Sequence, residues 1–281
     1  MKKLAALSIG MILSATASFA GCAGVEDACE IPEGTYHAEV PTSTPKGALM
    51  FLHGWGSSGS GSMKMRGMVN GFLDAGYAVI APDGTPREGR SGRGWIFHPY
   101  WDEERSEHEF LAAVRDDAAE RFGFDPKMVM LSGFSIGGSM AAYVACLNPT
   151  HFSAYAPIGG NLWRPHPEAC EGPVRMLHTH GWSDGVVPIE GRLLRGEGLT
   201  NPDSLIQGDS FHAMELFRVA NDCANHKPDR FDIGETYWRR AWDRCADGSA
   251  LEFALHRGGH SVPKGWAAMA LEWFEGQMLS N

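Results

Sequence analysis

Positive charge is scarce in this chain. Lys and Arg number 24 against 34 Asp and Glu, a formal charge of −10, and the acids are dispersed rather than gathered in blocks. Proteins that grip nucleic acid or anionic membrane surfaces need the opposite balance, so both are poor partners here. Long hydrophobic runs are also lacking. The apolar stretch at residues 4–13 falls short of the ~20 residues needed to cross a bilayer, so no integral membrane segment is expected. There is no internal repeat, no low-complexity tract and no interdomain linker, which argues against a solenoid or a tethered array. A metal centre is not expected. His178 and His180 have the spacing of a ligand pair, but no other cluster completes a coordination sphere, and structural roles suit them better.

The N-terminus carries a processing signal. Lys2-Lys3, the apolar stretch 4–13 and the small-residue run Ala17-Ser-Phe-Ala20 form the pattern of an export signal peptide over residues 1–20. Its removal would take away two lysines and no acid, and would leave residues 21–281 as a secreted or periplasmic domain. Gly21-Cys22 raises the alternative of a lipid anchor on Cys22, ranked below simple secretion because Phe19 suits that motif badly. All six cysteines, Cys22, Cys29, Cys146, Cys170, Cys223 and Cys245, lie beyond the cleavage point. An even count in an exported chain suggests disulfides. Six cysteines pair in roughly 15 ways. Pairing neighbours along the chain gives Cys22–Cys29, Cys146–Cys170 and Cys223–Cys245, with other pairings and buried free thiols left open.

Strand-like and helical segments alternate. Residues 48–52, Ala-Leu-Met-Phe-Leu, are uniformly apolar, as expected of a strand covered on both faces. Similar strands are expected at 77–81, 128–131, 152–158, 174–178 and 250–255, with an edge strand at 35–40 closed by prolines. Helical patterning is found at 63–73, 107–122, 138–146, 210–221 and 265–279. This order implies βαβ units: an α/β fold with a mostly parallel central sheet and helices on both faces. Residues 85–104 read as a long loop and 189–208 lack periodicity; the regions 85–104 and 189–245 are the expected walls of a site at the strand C-termini.

The chain is organised around Gly133-Phe-Ser135-Ile-Gly137, placed between the apolar run 128–131 and a small-residue helical segment. A serine on a sharp strand-to-helix turn needs small neighbours, so that strand and helix can approach, and a helix N-terminus aimed at a developing oxyanion. The pentapeptide alone is weak, because Gly181-Trp-Ser183-Asp-Gly185 fits it too. That second match runs into Val186-Val187-Pro188, which cannot open a helix. Ser135 is therefore the expected nucleophile and Ser183 a decoy. A serine needs a base, and the base needs an orienting carboxylate. Asp184 and His260 follow Ser135 in the order Ser, Asp, His, each in a loop just after an expected strand. Asp83, before Gly84, reads as a turn residue instead. His53-Gly-Trp55-Gly56 follows an early strand, where the backbone N–H of Trp55 could pair with that of Ile136 as an oxyanion hole.

These pieces resemble the secreted polyhydroxybutyrate depolymerase and feruloyl or acetylxylan esterase group of α/β-hydrolases. The resemblance rests on Phe51-Leu-His-Gly-Trp-Gly-Ser-Ser-Gly59, on the segment Phe124 to Gly138, on His180-Gly-Trp-Ser-Asp184 with Val187-Pro188, and on Gly258-Gly-His-Ser-Val-Pro263. Trp95, Cys223 and Cys245 also sit where that group has counterparts. The resemblance implies one α/β-hydrolase domain over 21–281, a Ser135–His260–Asp184 triad, no cofactor and no metal, and a carboxylic ester as substrate: a small molecule, an oligomer or an ester carried on a polysaccharide. Val262 stands where the group usually has tryptophan, and no polymer-binding module is expected after the closing helix. Both count against action on solid polyester. Trp55, Trp95, Trp101, Trp163 and Trp182 fall near the expected cleft, and Trp95 and Trp182 are the candidate substrate-binding residues. A serine peptidase lacks its expected propeller here, and a non-catalytic binding protein would not need the ordered Ser, Asp and His.

Overall fold

The computed structural model describes residues 21–89, 91–99, 101–102 and 105–279. The expected signal peptide at 1–20 lies outside them. In chain order the elements are β1 (Cys29–Ile31), β2 (Gly34–Glu39), β3 (Ala48–Leu52), α1 (Gly59–Met63), α2 (Arg66–Asp74), β4 (Ala78–Pro82), β5 (Thr85–Pro86), β6 (Arg93–Gly94), α3 (Glu107–Phe122), β7 (Val129–Phe134), α4 (Ile136–Leu147), β8 (Ala154–Ile158), β9 (Arg175–Gly181), β10 (Arg192–Arg195), β11 (Leu205–Gln207), α5 (Ser210–Ala220), β12 (Arg230–Ile233), β13 (Tyr237–Trp242), β14 (Ala250–His256) and α6 (Trp266–Leu279).

The main sheet runs β1-β2-β4-β3-β7-β8-β9-β14-β13-β12. Its middle, from β4 to β14, is parallel, and antiparallel strands extend both flanks. The apolar run at 48–52 explains why β3 lies centrally. Successive side chains point to opposite faces, so Ala48, Met50 and Leu52 join one core layer while Leu49 and Phe51 join the other. Helices α3, α4 and α5 cover the first layer through Phe110, Val114, Met140, Val144, Met214 and Phe217. Helices α2 and α6 cover the second through Val69, Phe72, Trp266, Trp273 and Phe274. Every residue of α4 except Leu147 is buried, which is why its sequence is small and apolar all round rather than amphipathic.

Several boundaries differ from expectation. The helix expected at 63–73 is split into α1, capped by the Ser58 hydroxyl accepting from Gly61 N–H at 3.2 Å, and α2. The strand expected at 174–178 continues to Gly181, so His178 and His180 lie within the sheet. The region 189–245 holds two ribbons that its sequence did not announce, β10–β11 and β12–β13. All four residues of β12 are exposed, so no buried face imposes an apolar alternation. In β13 Arg239 interrupts the pattern because it is ion-paired with Glu252, itself buried on β14.

Three disulfides join Cys22–Cys29, Cys146–Cys170 and Cys223–Cys245. The first corrects the lipid-anchor alternative: a Cys22 sulfur bonded to Cys29 has no thiol left to acylate. The third joins the segment after α5 to the segment after β13 across a separation of 22 residues. Replacing both partners, Cys223→Ser with Cys245→Ser, is expected to lower stability in guanidinium unfolding by about 3 kcal/mol, by release of loop entropy in the unfolded chain. An unchanged unfolding midpoint would show that this bridge carries no stability.

Candidate active site

Ser135 sits at the junction of β7 and α4 with φ 60° and ψ −122°, a conformation that costs a non-glycine residue about 1–3 kcal/mol. The surroundings hold it there. Its N–H donates to the carbonyl of Ile158 at 2.9 Å. Side chains are excluded where the backbones close in: a Cβ on Gly137 would lie 2.4 Å from the Leu52 carbonyl oxygen, and one on Gly160 would lie 1.9 Å from the Ser135 carbonyl oxygen. The strained turn lifts the hydroxyl clear of both the strand and the helix.

His260, in the loop after β14, places Nε2 2.9 Å from Ser135 Oγ and Nδ1 2.8 Å from Asp184 Oδ2. An ionised carboxylate only accepts, so Nδ1 carries the proton and Nε2 is left to accept the serine hydroxyl. The histidine ring lies against Phe134, centroids 4.6 Å apart. Asp184 is buried. Burial opposes its ionisation, but hydrogen bonds from His260 and from the N–H groups of Val187 and Val186 outweigh that and hold its carboxyl below the ordinary value.

Behind the acid lies a line of buried imidazoles. His180 Nε2 donates to the Val187 carbonyl at 2.7 Å, which closes the 184–187 turn. Its Nδ1 then accepts from His178 Nε2 at 3.1 Å. Burial pushes both below the ordinary histidine range, so both stay neutral. They support the acid loop. Among the described residues, no group of three or more His, Cys, Asp or Glu could hold a metal ion. Ser183 is exposed, its hydroxyl donates to the Arg257 carbonyl, and no helix follows it.

The turn that follows β3 lies against the serine: a Cβ on Gly54 would be 3.7 Å from Ser135 Cβ. The candidate oxyanion donors, the N–H groups of Trp55 and Ile136, belong to these two adjoining segments. His53 braces the turn. Its Nδ1 donates to the Gly54 carbonyl at 2.9 Å and its Nε2 accepts from Gly84 N–H at 3.1 Å. Beneath it Asp83, only 6% exposed, accepts from Gly59 N–H and the Thr35 hydroxyl, each at 2.9 Å, and lies 3.5 Å from both His37 and Arg93. Asp83 is thus a buried anchor rather than a turn residue. Nothing in an Asp-Gly dipeptide signals that role.

Trp95 does not reach the cleft. It is 2% exposed, and its Nε1 donates to the His53 carbonyl at 3.0 Å, so it supports the turn from within the core. Trp101 and Trp163 likewise pack around Phe97. Trp182 is 58% exposed but leans on Trp238 at 5.9 Å. Neither Trp95 nor Trp182 lines the cleft of about 430 Å³ that opens over Ser135 and His260. Its walls are Trp55, Phe134, Met65 and Val186. Trp55 is 59% exposed, with the Arg87 guanidinium 4.1 Å above its ring. Of the aromatic residues considered from the sequence, Trp95 and Trp182 therefore stand away from the cleft, while Trp55 lines it together with Phe134.

Residues 47–187 match the alpha/beta hydrolase fold family. The chain is 30% identical over 148 residues to NocK of Nocardia uniformis subsp. tsuyamanensis, a protein named as an esterase, covering 50% of this chain and 41% of that one. It is 24% identical over 115 residues to feruloyl esterase C of Emericella nidulans, covering 40% of this chain and 39% of that one. The chain thus spans about two-fifths of the length of these curated relatives. In structure it resembles an acetyl xylan esterase from Aspergillus awamori, with a TM-score of 0.64 at 14% identity over 86% of this chain and 93% of the other.

Asp83 gives the site a pH dependence in stability. Burial opposes its ionisation, but hydrogen bonds from His37, Gly59 and Thr35 and the charge of Arg93 prevail and lower it from 3.8 to about 2. A carboxyl depressed on folding stabilises the fold above its unfolded pKa, and that stabilisation is lost as pH falls through the folded value. Asp83→Asn is therefore expected to lose about 2 kcal/mol at neutral pH. The deficit should shrink between about pH 4 and pH 2, as read by urea unfolding across that range. A deficit that stays constant over the same pH range would contradict this role.

Proposed function

Since the chain belongs to the alpha/beta hydrolase fold family, we propose that it is an exported serine esterase acting through Ser135, His260 and Asp184. The observation that carries this reading is the unbroken hydrogen-bonded line from Ser135 through His260 to Asp184 at the floor of an open cleft. In the proposed reaction Ser135 Oγ attacks the ester carbonyl while His260 Nε2 takes its proton. Asp184 fixes the imidazole tautomer and stabilises the imidazolium. The N–H groups of Trp55 and Ile136 receive the negative charge that develops on the carbonyl oxygen, helped by the N-terminus of α4. His260 then protonates the departing alcohol. Water, deprotonated by the same nitrogen, releases the acid and restores the serine. No cofactor enters these steps.

The substrate class proposed is an ester with a short or aryl acyl group: an acetyl or butyryl ester, a feruloyl-type ester or a hydroxyalkanoate oligomer. The names of the relatives support it, and so does a cleft bordered by the exposed Trp55 and by Phe134, which offer aromatic surface to an aryl or short acyl group. Acetylxylan esterase or polyhydroxybutyrate depolymerase activity proper is the alternative within the same chemistry. We further propose that residues 1–20 are the export signal and 21–281 one catalytic domain. The three disulfides suit an oxidising compartment outside the cytosol.

Ser135→Ala is expected to lower kcat on p-nitrophenyl acetate by roughly 10³-fold or more and to abolish labelling by a fluorophosphonate probe. Ser183→Ala should keep most of its activity. The assignment is refuted by the reverse pattern. Trp55→Ala is expected to raise KM for aryl esters by about three- to tenfold and to leave acetyl esters nearly unchanged, since aromatic stacking contributes about 0.5–1.5 kcal/mol. Equal losses on both substrates would remove Trp55 from acyl recognition.

A further inference from the structure

At the opposite end of the sheet from Ser135, the N-terminal ends of β7, β8 and β9 border a second cavity, of about 450 Å³. Arg115 reaches it from α3 and Lys127 from the turn before β7. His151, Phe152 and Ser153 line it from the segment leading into β8, and Arg175 is the first residue of β9. Among the described residues no aspartate or glutamate lines it. In a chain of net charge −10 this is a local reversal of sign, built on the rigid ends of three adjacent core strands.

The cations are poorly compensated. Arg175 is half-buried, and its guanidinium has one long hydrogen bond, to the Ser153 carbonyl at 3.4 Å. Among the described residues no carboxylate pairs with it or with Lys127. Burial lowers the Arg175 pKa, which reflects the cost of holding that charge away from water. Arg115 is engaged on one side by Asp116 and on the other by the His151 carbonyl, which leaves guanidinium N–H groups to spare. Its plane lies over Phe152, 5.7 Å from the ring centroid. A partly buried guanidinium without a counter-charge, as Arg175 is, is unfavourable, and an anion bridging it to the spare donors of Arg115 offsets that desolvation. The planar fork of arginine matches tetrahedral and carboxylate oxyanions alike.

We infer that this cavity is a binding site for a compact oxyanion, a phosphate, a sulfate or the carboxylate of an acidic sugar, held by Arg115, Arg175 and Lys127. Strand β9 runs from Arg175 to Gly181, about 20 Å at ~3.3 Å per residue. Its far end leads to Asp184. An occupant therefore does not compete for the cleft at Ser135, and the site stands apart from the proposed esterase reaction.

The test is calorimetric titration with inorganic phosphate, sulfate and glucuronate at constant ionic strength, with chloride as the reference, alongside the thermal midpoint. At least one of the three should bind saturably and raise Tm above the chloride control. Lys127→Gln and Arg175→Gln should each weaken that binding by about tenfold. Ser135→Ala should bind as the wild type does. Lys127 is exposed, so its variant reports on binding even if the Arg175 variant folds poorly. Binding of phosphate or sulfate without glucuronate assigns the site to phosphoryl or sulfuryl groups, and binding of glucuronate assigns it to acidic saccharides. Either outcome upholds the inference. It is overturned if none of the anions exceeds the chloride control, or if Lys127→Gln binds like the wild type.

Discussion

The backbone of Ser135 is held where a side-chain-bearing residue does not rest by choice. A turn this tight exists only because β3, β7, β8 and α4 crowd upon it, and they can crowd only because Gly137 and Gly160 present no Cβ to the facing carbonyls. Much of the local sequence follows from that contact. Helix α4 is buried on nearly every side and is therefore small and apolar. Strand β3 is buried on both faces and is therefore uniformly aliphatic or aromatic. The strain is distributed over the most central part of the sheet, where relaxing the turn would mean parting several core strands.

The polar part of the site is supported in the same way, from below. Asp184 does not stand alone at a loop tip. Its two oxygens are shared among His260 and two backbone amides, and the turn that supplies those amides is closed by buried His180. On the other wall, His53, Trp95 and Asp83 hold the turn bearing Trp55. The acid loop and the turn bearing Trp55 are thus each held by buried groups with partners of their own. That arrangement limits the motion a reacting group could use to leave its position.

How much of this was legible in the sequence depended on whether a residue's role was local. The elbow could be read because strand, glycines, serine and helix are contiguous. Asp184 and His260 could be read because each closely follows a strand, and the order Ser, Asp, His is a chain-level pattern. Trp95 and Trp182 could not be sorted, since loop position does not set the direction of an aromatic ring: Trp95 turns inward to the His53 carbonyl and Trp182 turns outward against Trp238. Asp83 was hidden because an aspartate before glycine has the composition of a surface turn, whereas its partners come from residues 35, 37, 59 and 93. Strand β12 was hidden because a fully exposed edge strand imposes no alternation.

The hydrogen-bonded line also spans the chain. Ser135 and His260 are 125 residues apart, and His260 and Asp184 are 76 apart. His260 hangs from β14, which joins the sheet by pairing with β9. The Ser135–His260 contact therefore exists only where β14 is docked on β9, so the hydrogen-bonded line belongs to the completed sheet and to neither half of the chain by itself.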